Sequence, residues 1–397
     1  MDRVRIHYLD WLKVLIVYGI LLFHVSLVFS MVPWLVSNHQ RSLALSAFAA
    51  FCFPWGIPAM FLISGADAWF GLRSHSPAEF VGSRVRRLLL PMIAGLIVLS
   101  PFQRFVVSHN PPPPWSEMPA FYLSFYRSFH FVPDLQWVAT YWLHLWFLGY
   151  LFGISLVSLP LLLWLRHESG RRFASALVGL TARRGGIFAL VLPLVASQLA
   201  LRPFFPEYQG WADVATYTFV FLAGAVLFSD RRFEVAIRRD ISWIVGVGVI
   251  GLAGVAAVYA QAHTEFFQVS HLPAWAQAVF AVCWALDIWC WLLAVLYLGI
   301  RWLDFPNRVM DYLQRSILPF YVLHHPVVIT IASFVVTWNL GLWPKFGLLL
   351  VASYAISLAL YEYGVRRWAV TRAMFGLKTR PKVAAPHPVL RATGPSG

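Results

Sequence analysis

Two ionisable residues in the first apolar segment, Lys13 and His24, are the strongest candidates for chemistry in this chain. They are eleven positions apart, and eleven steps of 100° return a helix to within about 20° of its starting direction. Both side chains therefore share one helical face, separated by about 16 Å along the axis. Asp10 lies about one turn before Lys13, close to the same stripe. Because an ionised side chain in hydrocarbon costs about 3 kcal/mol, we expect these residues to face a protein interior or a polar cavity.

Further protonatable residues lie inside other apolar segments, at depths that match His24. They are His144 in the fourth segment, Asp287 in the eighth, and the pair His324 and His325 in the ninth. A lone intramembrane histidine is usually a hydrogen-bonded interior residue, but protonatable groups at similar depth in four segments favour one shared polar cavity. A neutral histidine in such a cavity can act as a general base or as a nucleophile.

A basic turn precedes the third apolar segment and contains Arg84, Arg86 and Arg87. Arg84 and Arg87 are three positions apart and so lie close to one helical face, where two guanidinium groups suit the phosphates of a nucleotide-bearing cofactor. Charge alone favours a simpler interpretation, in which these residues anchor a helix at the membrane surface. The three arginines are therefore candidate cofactor-binding residues with this alternative open.

The composition predicts that membrane-spanning helices position these side chains. Of the 397 residues, 59% are hydrophobic and only 12% are charged. Such a composition lies far outside the range of soluble domains, and a helix needs about 20 apolar residues to cross a bilayer. We predict an all-α, polytopic helix bundle with ten spans, at about 8–31, 43–72, 88–107, 139–165, 186–201, 212–229, 241–261, 275–300, 316–338 and 346–365.

The distribution of positive charge predicts that both termini are cytoplasmic. The net charge is +14, and most of the 31 lysine and arginine residues fall in the even-numbered loops and near the two ends of the chain. The positive-inside rule assigns such loops to the cytoplasm. Topology and contact with anionic membrane lipid account for the charge, so nucleic-acid binding is not expected.

We expect one transmembrane domain over residues 1–380, followed by a disordered cytoplasmic tail at 381–397 that is rich in proline and alanine. Cys52, Cys283 and Cys290 lie in predicted spans without metal-ligand spacing, so neither a disulfide nor a metal site is expected. The sequence contains no glycine-rich phosphate loop, nucleophile elbow or His-Glu-x-x-His zinc pattern. Any chemistry must therefore use the intramembrane groups.

Five short motifs, in order along the chain, resemble those of the membrane acyltransferase 3 family. They are Tyr8-Leu9-Asp10-Trp11-Leu12-Lys13 leading to Phe23-His24, Phe61-Leu62-Ile63-Ser64-Gly65, Arg84-x-x-Arg87 with Pro91, His144-Leu145-Trp146-Phe147-Leu148, and Tyr321-x-x-His324-His325-Pro326. Within the family, the paired histidines and Phe23-His24-Val25-Ser26-Leu27 are most similar to the glucan succinyltransferase branch. The family's first-span signature is an arginine, ten residues and a histidine, and Lys13 occupies the arginine position here.

The resemblance implies an enzyme of the bacterial inner membrane that takes an acyl group, succinyl or acetyl, from cytoplasmic acyl-CoA. The acceptor would be a hydroxyl group of a periplasmic carbohydrate such as a glucan. We expect His24 to act as general base or transient acyl carrier, with Lys13 and Asp10 as its catalytic partners. The phosphates of CoA would be held by Arg84, Arg86 and Arg87. Substrate-binding roles would fall to His144, His324, His325 and Asp287.

Two other classes of protein are compatible with the same residues. A secondary transporter or proton-coupled exporter also uses intramembrane lysine, aspartate and histidine along a polar pathway. The lack of a visible duplication between the two halves of the sequence counts against this class. A structural partner in a polysaccharide-assembly complex is the third class, and it requires no chemistry from His24.

Overall fold

The computed structural model describes residues 6–109, 115–128, 135, 141–262 and 272–377 of the chain. Within these ranges every regular element is a helix, as the apolar composition predicts. The tail predicted at 381–397 lies outside the described residues.

The α-helices of the described ranges are numbered here in chain order. They are α1 (His7–Val28), α2 (Leu43–Leu72), α3 (Pro77–Arg84), α4 (Leu90–Ser108), α5 (Met118–Arg127), α6 (Trp146–Val157), α7 (Leu159–Arg166), α8 (Glu168–Thr181), α9 (Leu192–Leu201), α10 (Trp211–Leu227), α11 (Arg232–Ala262), α12 (Ala274–Trp302), α13 (Arg308–Val335), α14 (Leu342–Ala359) and α15 (Ala369–Met374). Two π-helical turns, Val85–Leu89 and Leu360–Val365, continue α3 into α4 and extend α14. Short 3-10 turns occur at Trp115–Glu117, Leu143–Leu145 and Gly186–Val191.

Seven helical units in the described part of the chain are long and apolar enough to cross a membrane. They are α1, α2, the continuous unit Pro77–Ser108, α11, α12, α13 and the unit Leu342–Val365. The pair α6 and α7 adds an eighth if it is one span, although the two helices meet at 47°. The predicted segments at 186–201 and 212–229 also form helices, but these are shorter than a standard span of about 20 residues. The count of ten and the cytoplasmic placement of both termini stay predictions.

Helix α1 lies at the centre of the bundle, because it packs against α2, α12, α13 and α14. Its apolar side chains fill the core, with Leu21 and Val25 completely buried. Lipid tails are as apolar as leucine, so this packing stabilises the bundle through van der Waals contact rather than through exclusion of water. The central position of α1 brings Lys13 and His24 into contact with the surrounding helices.

Helices α2 and α10 cross with backbone against backbone at two glycines. A Cβ atom on Gly65 would lie 1.8 Å from the carbonyl oxygen of Phe221, and one on Gly224 would lie 1.9 Å from that of Leu62. Small residues allow membrane helices to approach this closely. Gly65 therefore has a structural role, because it holds α2 against α10.

The short helix α15 connects the two π-helical turns at one end of the bundle. The Thr371 hydroxyl donates to the carbonyl oxygen of Gly364 at 2.9 Å. Gly376 follows α15 with φ of +63°, and a Cβ atom there would lie 2.3 Å from the Arg86 carbonyl oxygen. Glycine alone suits both the positive φ and the close approach. The charge pattern predicts that this end of the bundle is cytoplasmic.

Candidate active site

Four histidines that are far apart in the sequence meet at one place in the bundle. His24 comes from α1, His144 from the turn Leu143–Leu145, and His324 and His325 from α13. His24 Nδ1 is 3.1 Å from His324 Nε2, and the ring centroids of His144 and His325 are 4.6 Å apart. His24 is partly exposed, while the other three are buried. The structure thus brings together the four histidines that the sequence placed at one depth.

Pro326 explains why a backbone carbonyl group of α13 is free to accept a hydrogen bond from His144. Proline has no N–H, so the carbonyl group four positions earlier, that of Val322, lacks its usual helical donor. His144 Nε2 donates to this carbonyl oxygen at 3.0 Å. The Tyr321 hydroxyl also donates to the backbone carbonyl oxygen of His144. The tyrosine and the proline of the α13 motif therefore both hold His144 in place.

The hydrogen bonds of α13 determine which nitrogen of His24 is available. His324 Nδ1 is 2.6 Å from the Tyr321 carbonyl oxygen, which can only accept, so Nδ1 carries the proton. In a neutral imidazole His324 Nε2 is then an acceptor, and His24 Nδ1–H is the donor in the bond between the two rings. Nε2 of a neutral His24 consequently keeps its lone pair. This is the atom that can accept a proton or attack a carbonyl carbon.

Gln103 of α4 belongs to the cluster and was not among the residues predicted for the site. His325 Nδ1 donates to Gln103 Oε1 at 2.5 Å, and Gln103 Nε2 donates to the Leu99 carbonyl oxygen at 3.1 Å. Both polar ends of this buried amide are used, which defines its orientation and the proton position on His325. The available signal was an uncharged amide inside an apolar segment, which a search for ionisable groups does not select.

Aromatic rings and one unused acceptor border the cluster. Trp34 stacks on His24 with ring centroids 5.6 Å apart and meets His325 edge-on at 5.5 Å. His144 Nδ1 is buried and has no hydrogen-bond partner in the ranges that the structure describes. Because His144 Nε2 carries the proton, Nδ1 is an acceptor in the neutral ring. A hydroxyl group entering the cluster therefore has an acceptor available.

The predicted catalytic partners of His24, Lys13 and Asp10, form a separate ionic cluster closer to the N-terminus of α1. Lys13 Nζ is 2.8 Å from Asp67 Oδ1 and 3.6 Å from Asp10 Oδ1. Asp10 also accepts a hydrogen bond from Gln314 of α13. Eleven helical residues, about 16 Å of rise, separate Lys13 from His24. The ionic cluster connects α1 to α2 and α13 and does not contact the His24 ring, so the catalytic role of its members stays a prediction.

The predicted phosphate-binding arginines differ in their exposure. The Arg84 guanidinium lies 4.7 Å from the centre of the Phe80 ring, and its Nε is buried without a hydrogen-bond partner among the described residues. Arg86 and Arg87, on the π-helical turn Val85–Leu89, are exposed. Two of the three arginines are therefore open to a ligand, and cofactor binding by this turn stays a prediction.

Asp287 is not part of the histidine cluster. It is fully buried on α12 and faces α11, where a Cβ atom on Gly251 would lie 3.0 Å from the Asp287 backbone nitrogen. Its carboxylate lies beside the Trp291 side chain of the same helix. The hydrogen bonds and ring contacts of the four histidines do not include Asp287. Its predicted substrate-binding role stays a prediction.

The geometry defines the chemistry that the cluster can perform. A partly exposed histidine with a free lone pair, held by a second histidine, is the arrangement of a base and its orienting group. Among the described residues, no three or more His, Cys, Asp or Glu side chains are placed to hold a metal ion. Proton abstraction and nucleophilic acyl transfer both suit the arrangement.

The fold defines a multi-pass membrane protein with four histidines clustered in the bundle, and comparison with protein families gives its class. The family model described as an acyltransferase domain, that of the acyltransferase 3 family, matches residues 6–362. The chain therefore belongs to this acyltransferase family. The matched region contains all four histidines, the ionic cluster and the arginines of the first π-helical turn. This confirms the family resemblance seen in the motifs.

Similar proteins cover almost the whole chain at low identity. Glucans biosynthesis protein C of Salmonella paratyphi A is 22% identical over 385 residues, which cover 91% of this chain and 92% of that protein. The protein of the same name from Salmonella schwarzengrund is 23% identical over 390 residues, with the same coverage of both chains. No solved structure matches this chain.

Proposed function

We propose that this protein transfers an acyl group, succinyl or acetyl, from cytoplasmic acyl-CoA to a hydroxyl group of a periplasmic carbohydrate such as a glucan. The observation that carries the proposal is the His24–His324 hydrogen bond of 3.1 Å, which leaves His24 Nε2 as the available base. Family membership supports acyl transfer. The name of the similar Salmonella proteins favours a glucan as acceptor.

In the direct route, His24 acts as a general base. Its Nε2 takes the proton of the acceptor hydroxyl while the hydroxyl oxygen attacks the thioester carbon of acyl-CoA. The C–S bond then breaks, and the imidazolium returns the proton to the thiolate of CoA. His324 stabilises the imidazolium because its Nε2 accepts from His24 Nδ1–H. The products are an ester of the acceptor and free CoA.

In the covalent route, His24 carries the acyl group. Its Nε2 attacks the thioester carbon, the C–S bond breaks, and CoA leaves as a thiolate that takes up a proton from solvent. The acceptor oxygen then attacks the acyl-imidazole and loses its proton to a base, for which His144 Nδ1 or His325 Nε2 is placed in the same cluster. Both routes use the same lone pair of His24.

The remaining site residues have supporting roles in this proposal. Arg86 and Arg87, with Arg84, hold the CoA phosphates at the cytoplasmic end. Lys13 and Asp10 lie on the same helix as His24, between the histidines and the N-terminal end of that helix. In this proposal they orient the donor along its path from the cytoplasmic end to the histidines. His144, His324 and His325 orient His24 and bind acceptor hydroxyl groups.

The test compares purified wild type with His24→Ala in liposomes, supplied with succinyl-CoA or acetyl-CoA and a glucan acceptor. Loss of a general base typically lowers turnover by about 10²–10⁴-fold, so we expect at least a 100-fold loss. The control is His39→Ala, which removes an exposed histidine outside the helices. Turnover that survives in His24→Ala, or a folded wild type that consumes neither acyl-CoA, would contradict the proposal.

A trapping experiment separates the two routes. Wild type is incubated with acyl-labelled donor and no acceptor, then quenched and digested. Label retained on the peptide that contains His24, and released by hydroxylamine, identifies the covalent route. A peptide without label, from protein that turns over when acceptor is present, identifies the direct route.

A further inference from the structure

A cleft at the predicted cytoplasmic end of the bundle lies apart from the histidine cluster. It has a volume of about 250 Å³. One wall is the N-terminal part of α13, and the other is the π-helical turn Leu360–Val365 with the residue that follows it. The lining residues are Arg308, Asp311, Tyr312, Arg315, Tyr361 and Arg366.

Two of the cleft arginines are available to a ligand. Arg308 and Arg315 are seven residues apart, so they lie on one face of α13 about 10 Å apart along its axis. Both are exposed, and neither makes an ion pair or hydrogen bond through its side chain within the described ranges. Arg366 differs, because its Nη1 donates to both carboxylate oxygens of Glu362 at 2.8 Å. The cleft thus combines one fixed guanidinium with two that are available.

In the part of the chain that the structure describes, more arginines than carboxylates surround the cleft. Arg372 of α15 adds a fourth arginine, since it lies within electrostatic range of Tyr361 and donates to the Arg366 carbonyl oxygen at 3.2 Å. The nearby carboxylates are Asp311 and Glu362. Arg367 also lies within electrostatic range of Glu362, so arginines outnumber carboxylates among the described residues around the cleft. Such an excess of guanidinium groups suits a phosphate monoester, which carries about −1.5 to −2 charge near neutral pH.

The shape of the site also suits a phosphate-bearing ligand. An arginine guanidinium can bind phosphate oxygens through two parallel hydrogen bonds, whereas a lysine ammonium acts only as a point charge. The rings of Tyr312 and Tyr361, with centroids 6.0 Å apart, form an aromatic border. The π-helical bond from the Arg366 N–H to the Tyr361 carbonyl oxygen, 2.8 Å long, fixes this wall. Such turns are frequent at functional sites.

We propose that this cleft binds a phosphate group, supplied either by a soluble nucleotide-type ligand or by the headgroup of an anionic lipid. Its lining residues differ from those of the turn Val85–Leu89, to which the acyl-CoA proposal assigns the CoA phosphates. It does not rest on that proposal, because a lipid phosphate would satisfy it equally. Arg308 and Arg315 are its principal ligands.

The test uses the full chain in nanodiscs and the double variant Arg308→Gln/Arg315→Gln. The matched control is Arg183→Gln/Arg184→Gln, which removes the same charge from two exposed arginines on another turn. Adenosine 3′,5′-bisphosphate, titrated by calorimetry in phosphatidylcholine nanodiscs, represents the soluble source. Phosphatidylglycerol retained by the protein, measured by native mass spectrometry, represents the lipid source. A thermal unfolding scan of each variant verifies the fold.

We expect one of the two probes to bind at least tenfold more weakly to the double variant and unchanged to the control. The probe that is affected identifies the source of the phosphate. Arg315→Lys, which keeps the charge but loses the planar fork, should weaken the same probe by a smaller factor. The proposal is wrong if neither probe binds wild type, or if both bind the double variant and the control alike.

Discussion

At the scale of single residues, the protons of the histidine cluster are fixed by backbone carbonyl groups. The Tyr321 carbonyl oxygen defines the proton on His324, and the carbonyl oxygen exposed by Pro326 defines the proton on His144. The proton position on His24 then follows from its bond to His324. A carbonyl oxygen can only accept a hydrogen bond, so its position shows which nitrogen of a histidine carries the proton. The other nitrogen of the neutral ring is then the one that can react.

The first prediction concerns the ionic cluster, where Lys13→Met should reduce stability. The substitution removes the cation between Asp10 and Asp67. Because the Asp67 side chain is 43% exposed, solvent reduces the cost to about 1 kcal/mol, the upper range of surface ion pairs. Thermal unfolding in detergent measures the loss, and Lys13→Arg should restore most of it.

A second readout separates this structural role from a catalytic one. If Lys13 only connects helices, Lys13→Met should lower the unfolding temperature while the turnover of the folded fraction stays within a few-fold of wild type. An unchanged unfolding temperature with abolished turnover would instead assign Lys13 to the reaction.

The sequence was informative for some site residues and silent for others. Depth in the membrane follows from position along a helix, so the common level of the four histidines could be predicted. Depth does not say which neighbour a side chain faces, and Asp287 consequently faces α11 rather than the histidines. Gln103 was not predicted, because the candidates were ionisable residues and an amide is neutral. Its hydrogen bond to His325 nevertheless makes it part of the cluster.

At the scale of elements, the structure shows breaks that the apolar pattern does not encode. Each of the ten predicted segments contains helix, because apolar length predicts helices in a bilayer. The apolar pattern does not mark the π-helical turns Val85–Leu89 and Leu360–Val365, so the sequence does not predict them. The bend between α6 and α7 likewise divides one predicted segment into two helices.

The prediction at this scale is that Gly65→Ala prevents correct packing of α2 on α10. The added Cβ would overlap the Phe221 carbonyl oxygen, and backbone cannot move as a flexible side chain can. We expect the free energy of unfolding to fall by about 3 kcal/mol, the upper end of the usual cost of overpacking. Size-exclusion chromatography and thermal unfolding of the purified variant measure it.

Gly71→Ala on the same helix is the matched control. A Cβ atom at Gly71 meets nothing within 4 Å, so this variant should behave as wild type. Equal stability of the two alanine variants would show that the crossing at Gly65 is looser than the structure describes.

At the scale of the whole molecule, the charge pattern predicts the orientation in the membrane. Arg41 lies in the loop after α1, and Arg172 lies on α8. With both termini cytoplasmic, the first position faces the periplasm and the second faces the cytoplasm. The predicted orientation would also put the cleft arginines on the side where soluble nucleotides occur.

Single cysteines at these positions provide the test, in a background where Cys52, Cys283 and Cys290 are replaced by alanine. A membrane-impermeant maleimide added to spheroplasts should label Arg41→Cys and leave Arg172→Cys unlabelled until the membrane is permeabilised. The reverse pattern would invert the topology and place the arginine cleft outside.

The contact between Gly376 and the backbone of Arg86 has a consequence for biosynthesis. The ribosome makes the chain from its N-terminus at about 5–20 residues per second, so Arg86 emerges on the order of tens of seconds before Gly376. During that interval the backbone of the turn Val85–Leu89 lacks its close contact with Gly376. A chain that stalls or is cut before Gly376 never makes this contact, so the backbone of the arginine-bearing turn gains this neighbour only when translation has passed that residue.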